Sequence, residues 1–193
     1  MKVIVASHNK HKIKEFRELF APLEIKDFSE INDPGEVIEN GISFEQNALI
    51  KAQAFSEKNP DDLVVSDDSG ICIVPLDHGP GIYSARYAGE NADDLANNRK
   101  MIEELSHIKN LDERKAYYVC SICFIAEDKT PYFFRSEVHG KIAFSPSGTN
   151  GFGYDPYFIP DGYDKTFGEI DSSIKSEISH RAKALKKLKE FWG

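Results

Sequence analysis

The sequence predicts a mixed α/β fold, on three observations. Lys2-Val3-Ile4-Val5-Ala6 is a strand-sized apolar run followed by Ile13, Phe16, Leu19 and Phe20 at helical spacing, so the chain opens as strand, loop and helix. Ala116 to Ala126 and Tyr132 to Val138 are rich in aromatic and β-branched residues on either side of Glu127-Asp128-Lys129-Thr130-Pro131, the pattern of an antiparallel hairpin. The chain closes with an amphipathic helix from about Lys175 to Phe191, with Ile178, Ala182, Leu185 and Leu188 on one side. A strand-to-helix opening combined with a hairpin makes the sheet mixed.

The elements between these follow from local signals. Ser7-His8-Asn9 supplies Ser and Asn as N-caps for the first helix, and the free backbone N–H groups there form a place for an anion. A second helix begins near Ser43, whose spacing to Gln46 matches a capping box, and Phe44, Ala48, Ala52 and Phe55 give it an apolar stripe. Lys51 falls on that stripe, where it either meets an anion or snorkels to solvent. Strands are expected at Leu63 to Ser66 and Ile71 to Val74, then a loop at Asp77-His78-Gly79-Pro80-Gly81. A helix from Ala92 to Leu105 is opened by Asp93 and Asp94, whose charges suit its first turn. No internal repeat, low-complexity tract or long linker interrupts the pattern.

Composition narrows the class. With 193 residues and 40% hydrophobic content, the chain can bury a full core as one domain, or as one domain with a second lobe. A formal charge of −8 disfavours a protein that coats a nucleic acid polymer. The apolar runs are too short for a membrane span and the N-terminus lacks the apolar core of a signal peptide, so a cytoplasmic protein is expected. Of three cysteines, Cys120 and Cys123 lie three apart on a strand and face opposite ways, which argues against zinc or redox chemistry. Positive charge is gathered at Lys10, His11, Lys12 and Lys14 and again at Lys175, His180, Arg181, Lys183, Lys186 and Lys187. Each cluster reads as either a site for a small anion or a solvated helix face.

Three segments carry chemistry. Val65-Ser66-Asp67-Asp68-Ser69-Gly70 sets two adjacent carboxylates where a strand is expected to end. They point to opposite sides of an extended backbone, and either hold a divalent metal that activates water or satisfy turn amides. Gly148-Thr149-Asn150-Gly151-Phe152-Gly153-Tyr154-Asp155-Pro156 surrounds an aromatic ring with glycines. It is either a glycine-rich turn or a loop that passes close to a flat ligand while the ring stacks on it, a contact worth about 1–3 kcal/mol for a nucleobase. Ser179-His180-Arg181 offers an imidazole and a guanidinium as donors to a base or a phosphate. The set suits a nucleoside triphosphate and a metal.

Ser7-x-Asn9-x-x-Lys12, Ser66-Asp67-Asp68-Ser69-Gly70, Pro80-Gly81-Ile82-Tyr83-Ser84-Ala85-Arg86, Gly151-Phe152-Gly153-Tyr154-Asp155-Pro156 and Ser179-His180-Arg181 together resemble the inosine/xanthosine triphosphate pyrophosphatases, in order and spacing, from about residue 2 to about residue 190. The resemblance implies an elongated central sheet flanked by helices, residues 1–193 forming one pyrophosphatase domain of two lobes with a nucleotide cleft. It implies a homodimer that hydrolyses ITP, dITP and XTP to the monophosphate and pyrophosphate. Ser7, His8, Asn9, Lys10, His11 and Lys12 would hold phosphates, with Lys51 as a further phosphate contact. Asp68 would be general base and, with Glu39, ligand to Mg²⁺, while Asp67 supports it and Ser69 touches substrate. Phe152, Gly153, Tyr154, Asp155, Lys175, His180 and Arg181 would bind the nucleoside, Phe152 by stacking.

Where relatives often carry Glu before the helix asparagine, Phe44-Glu45-Gln46-Asn47 places Gln46, expected to face away from the apolar stripe and serve as a cap. Ser7 stands where Thr is common, and His8, Lys10 and His11 make the first loop more basic. Two other readings stand beside this one: a phosphatase using an Asp as covalent nucleophile, which would liberate orthophosphate, and a nucleotide sensor without turnover.

Overall fold

Strand β1 (Lys2–Val5) alternates its side chains between two apolar layers, and the rest of the fold is organised by that alternation. In the computed structural model, residues 2–19 and 24–192 are described, apart from the side chains of His11 and Leu19. Leu19 and Phe20 of the first predicted stripe, and the His11 side chain of the predicted phosphate loop, therefore lie outside the described residues.

Helix α1 (Lys10–Leu19) leads to the short β2 (Glu24–Ile25), and α2 (Phe44–Lys58) to β3 (Leu63–Ile73). Then come α3 (Asp94–Glu104), the long strands β4 (Lys115–Ile125) and β5 (Pro131–Ile142), β6 (Phe158–Pro160), α4 (Ser172–Ile178) and α5 (His180–Trp192). The six-stranded sheet has the order β2-β1-β3-β4-β5-β6. β1 runs parallel to β2 and β3, with Val3 opposite Leu63 and Val5 opposite Val65, whereas β6 is antiparallel to β5. Bonds from Ile142 N to Arg114 O and from Ala126 N to Thr130 O fix β4 and β5 as the expected hairpin. The sheet is mixed, as predicted.

The chain divides into two compact units: unit 1 is residues 1–68, 120–136 and 181–193, and unit 2 is residues 69–119 and 137–180. In unit 1, Val3, Val5, Leu63, Val65, Cys120, Ile122 and Phe124 pack with Phe16 of α1 and Leu185 and Leu188 of α5. Ile4, Ala6, Val64, Cys123 and Ile125 pack with Ala48, Ala52 and Phe55 of α2. Unit 1 is thus three layers, with helices on both faces of the sheet. Cys120 and Cys123 lie in different layers, as their spacing requires, and burial raises both thiols, Cys123 to about 12. In unit 2, Ile71, Ile73, Tyr118, Val138 and Phe158 form a core with Met101 and Leu105 of α3. No helix among the described residues is long and apolar enough to cross a membrane.

Two expectations are corrected. The paired aspartates do not end a strand, because β3 runs unbroken from Leu63 to Ile73 through Asp67, Asp68, Ser69 and Gly70. Side chains brought from α1, α2 and α5 satisfy the carboxylates, so no turn is needed there. The closing helix is two helices, broken at Ser179, whose backbone is extended at φ −66° and ψ 156°. The break divides the predicted apolar stripe: Ile178 packs in unit 2, while Leu185 and Leu188 pack in unit 1.

Candidate active site

Asp67 and Asp68 alternate across β3, and in unit 1 each meets a different set of groups. Asp67 is 1% exposed, and its Oδ2 is 3.2 Å from Lys12 Nζ and 3.0 Å from Nη2 of Arg181, while Oδ1 is buried with no hydrogen-bond partner among the described residues. Arg181, at the start of α5, also pairs with Glu15 of α1. Burial opposes ionisation of Asp67, but Lys12, Arg181 and Lys51 outweigh it and hold the carboxyl far below the usual carboxylate range. Arg181 is correspondingly held charged against its own burial by Asp67 and Glu15.

Asp68 faces α2. Its Oδ2 accepts a hydrogen bond from Nδ2 of Asn47 at 3.1 Å, and its Oδ1 is 3.6 Å from Lys51 Nζ. Lys51 also donates to Oε2 of Glu39 at 2.9 Å. The inward-facing lysine therefore meets anions rather than snorkelling. Burial works against its charge, yet Asp68, Asp67 and Glu39 together raise it above the ordinary lysine value. For Asp68 the balance goes the other way, and burial, only partly offset by Lys51 and Lys12, raises the carboxyl above its ordinary value.

The donor chemistry at this point fits a hard divalent cation. Glu39 and Asp68 present carboxylate oxygens to one shared positive group, Lys51. Among the described residues no group of three or more His, Cys, Asp and Glu side chains is arranged to hold a metal. A bound cation would thus draw its remaining ligands from water and phosphate, the usual habit of Mg²⁺.

The first loop is built as a helix entry. Asn9 Oδ1 accepts from Lys12 N at 3.2 Å and Ser7 Oγ from Asn9 N at 3.2 Å, so Asn9 caps α1 and Ser7 shapes the turn before it. Lys10 is exposed. His8 is tied to Asp33 at 2.9 Å and lies against the rings of Phe28 and Phe55.

At the other predicted cap, Ser43 Oγ accepts from Gln46 N, but Gln46 Oε1 reaches back to Ile42 N at 2.9 Å. The reciprocal bond thus falls one residue before the cap. Glu45 pairs with Arg135 at 2.9 Å.

Unit 2 gathers the remaining predicted residues. Phe152 N donates to Oδ2 of Asp155 at 2.8 Å, and the same oxygen is 2.6 Å from Lys175 Nζ. Lys175 lies 5.5 Å from the Phe152 ring. Gly151 has φ +75°, and a Cβ there would come within 2.0 Å of Asp155 Oδ2, so this turn requires glycine. Tyr154 is buried and donates from its hydroxyl to Ser84 O at 2.8 Å. The His180 imidazole is stacked on the Tyr118 ring at 4.6 Å with 4° between planes, and the Tyr118 hydroxyl is 3.4 Å from Asp155 Oδ1. Ser69 is half-buried on β3.

The structure brings Lys12, Asp67 and Arg181 together, and Lys51, Asp68 and Glu39 together, within unit 1. His180 and Arg181, adjacent in sequence, belong to different units. Sequence reasoning missed Asn47, Glu15 and Tyr118. Asn47 was findable, since it lies three residues after Phe44 and four before Lys51 on the inward stripe. Glu15 follows Lys12 by three on α1, but its partner is in the last helix, which no local pattern predicts.

Comparison with known proteins identifies the family. Residues 3–191 match the Ham1 family. A dITP/XTP pyrophosphatase of Nautilia profundicola is 48% identical over 96% of this chain and 94% of its own, and one of Bacillus subtilis is 43% identical over 97% and 95%. The solved structure of the Staphylococcus aureus Ham1 protein superposes with a TM-score of 0.88 at 38% identity, covering 100% of this chain and 98% of that one. Coverage at both ends, together with identity well above 30%, makes the assignment unambiguous: this chain belongs to the Ham1 family.

Proposed function

We propose that this protein hydrolyses the deaminated purine nucleoside triphosphates ITP, dITP and XTP to the nucleoside monophosphate and pyrophosphate, with Asp68 as general base. The observation that carries the catalytic part is the buried Asp68 carboxylate, oriented by Asn47 and set beside Lys51 and Glu39. Burial raises its proton affinity, the direction a base working near neutrality needs.

In this reading Asp68 takes the proton of a water attacking the α-phosphorus, and the bond to the pyrophosphate leaving group breaks. Lys12 and Lys51, with amides of the first loop that the helix cap does not use, stabilise the charge that collects on the leaving phosphates. Glu39 and Asp68 would hold Mg²⁺, which when bound neutralises phosphate charge and makes water more acidic. Asp67 is not a second base here, because Lys12 and Arg181 leave its carboxylate with too little proton affinity to take the proton. It anchors Lys12. On unit 2, Phe152 would stack on the purine, and His180, held flat against Tyr118, would donate to a 6-oxo group. An adenine 6-amino group facing a donor leaves both unpaired and is penalised. The same reading takes the protein as a cytoplasmic homodimer, whose mass in solution ultracentrifugation reads directly.

Purified protein incubated with Mg²⁺ and, separately, ITP, XTP, GTP and ATP should release pyrophosphate from ITP and XTP and little from the others. EDTA should abolish the release. Orthophosphate as the first product would favour a phosphatase, and ITP binding without turnover would favour a sensor; either overturns the reading.

A further inference from the structure

We infer that Asp94 and Asn98 of α3 are positioning residues for base recognition, acting through the Phe152–Gly153 backbone. The inference rests on the reading of Phe152 as the stacking ring. Gly153 N donates to Oδ2 of Asp94 at 2.7 Å, and Gly153 O accepts from Nδ2 of Asn98 at 2.9 Å. Asp94 and Asn98 are four residues apart, hence on one face of α3, and that face grips both polar groups of a single loop residue. Next to Gly153, Phe152 N is taken by Asp155 Oδ2 and Phe152 O accepts from Asp155 N at 3.3 Å. All four backbone polar groups of the two residues are therefore partnered.

Such a grip matters because the segment is otherwise loose. Gly151 and Gly153 both have positive φ, at +75° and +63°, and glycines leave a chain with many conformations to lose when a ligand orders it. A ring held in place before the base arrives binds without that cost. The helix carrying the grip is itself fixed: Asn97 accepts from Ala88 N at 2.8 Å and donates to Ala85 O at 3.1 Å, and Met101 is fully buried. The first turn of α3 is capped by Asp93, whose side chain accepts from Ala96 N, so the cap does not depend on Asp94. The motifs quoted from the sequence do not include Asp94 or Asn98; their role appears only when α3 and the glycine loop are seen together.

The test is the dissociation constant of inosine monophosphate, read by calorimetry so that it does not depend on turnover, beside hydrogen exchange at the Gly153 amide. Asp94→Ala should weaken binding about 5- to 10-fold and speed Gly153 exchange. Asp94→Asn keeps an acceptor oxygen and should stay within about 2-fold of wild type, whereas a mere helix-dipole role would make Asn and Ala alike. Asn98→Leu should act like Asp94→Ala, and because Asn98 is buried, the exposed Asp94 carries the test if the Leu variant is unstable. In a Phe152→Ala background, Asp94→Ala should add less than about 2-fold, since the two act as one unit. Full additivity, or faster Gly153 exchange with unchanged affinity, overturns the inference while leaving the proposed function standing. If Phe152→Ala alone leaves affinity unchanged, the stacking reading fails and the inference falls with it.

Discussion

Unit 1 holds its polar groups with opposite charges, whereas unit 2 holds them mainly with backbone bonds and a ring. Asp67 lies between Lys12 and Arg181, and Asp68 and Glu39 share Lys51, all at low exposure except the half-buried Glu39. Around Phe152, Lys175 pairs with Asp155, beside peptide groups bonded to side chains and an imidazole lying on Tyr118. The contrast separates two kinds of cost. A buried charge that loses its partner penalises the fold itself. A loop that loses one bond stays folded but presents its ring less well.

The largest expected effect tests the chemistry of unit 1. Asp68→Asn keeps the shape and the Asn47 contact while removing the base, and pyrophosphate release from ITP should fall by about 10²–10⁴-fold at unchanged folding. Retained activity would move the base elsewhere. Next comes the neighbouring pair of residues that the fold divides. Arg181→Met leaves Asp67 and Glu15 facing an apolar side chain, and urea denaturation should show a loss of about 3–5 kcal/mol. His180→Ala, one residue earlier, should cost less stability and act mainly on nucleotide affinity. Equal destabilisation by the two would erase the contrast between the units.

In unit 2, Phe152→Ala should raise KM for ITP by roughly 5- to 150-fold, the equivalent of about 1–3 kcal/mol, with kcat little changed. A fall in kcat at constant KM would mean that the ring acts only in the transition state. Tyr118→Phe removes a long contact to Asp155 and keeps the stack on His180, so a stability loss near the low end of about 0.5–1.5 kcal/mol is expected. The smallest effect belongs to the surface. Burial opposes ionisation of Glu45, yet its bond to Arg135 lowers the carboxyl below its ordinary value. That pair contributes stability, at most about 1 kcal/mol, which is fully present above the unfolded carboxylate pKa and lost as pH falls through the lowered folded value. Glu45→Gln should flatten that acid limb in a melting curve recorded against pH.

Much of both units was legible before any coordinates. Asn9 and Ser43 as caps, the hairpin of β4 and β5, the inward Lys51 and the opposite facing of Asp67 and Asp68 all rest on periods of 3.6 or 2, or on bonds spanning a few residues. Local chemistry fixes these wherever the element ends up. The misreadings share the opposite cause. A strand end was expected at Asp67-Asp68, whereas partners from three helices let both carboxylates sit inside a buried strand. The pairing of Arg181 with Asp67 was likewise hidden, because the two lie 114 residues apart along the chain. The extended Ser179 was invisible for a related reason. An apolar stripe runs through it without a gap, and only the packing of Ile178 in one core and Leu185 in another breaks the helix there. The sequence by itself therefore determined most of the helices and strands, their caps and which faces turn inward, because those follow from bonds between near neighbours. Tertiary structure alone decided which charges meet, since Coulomb pairing depends on distance in space and not on separation along the chain.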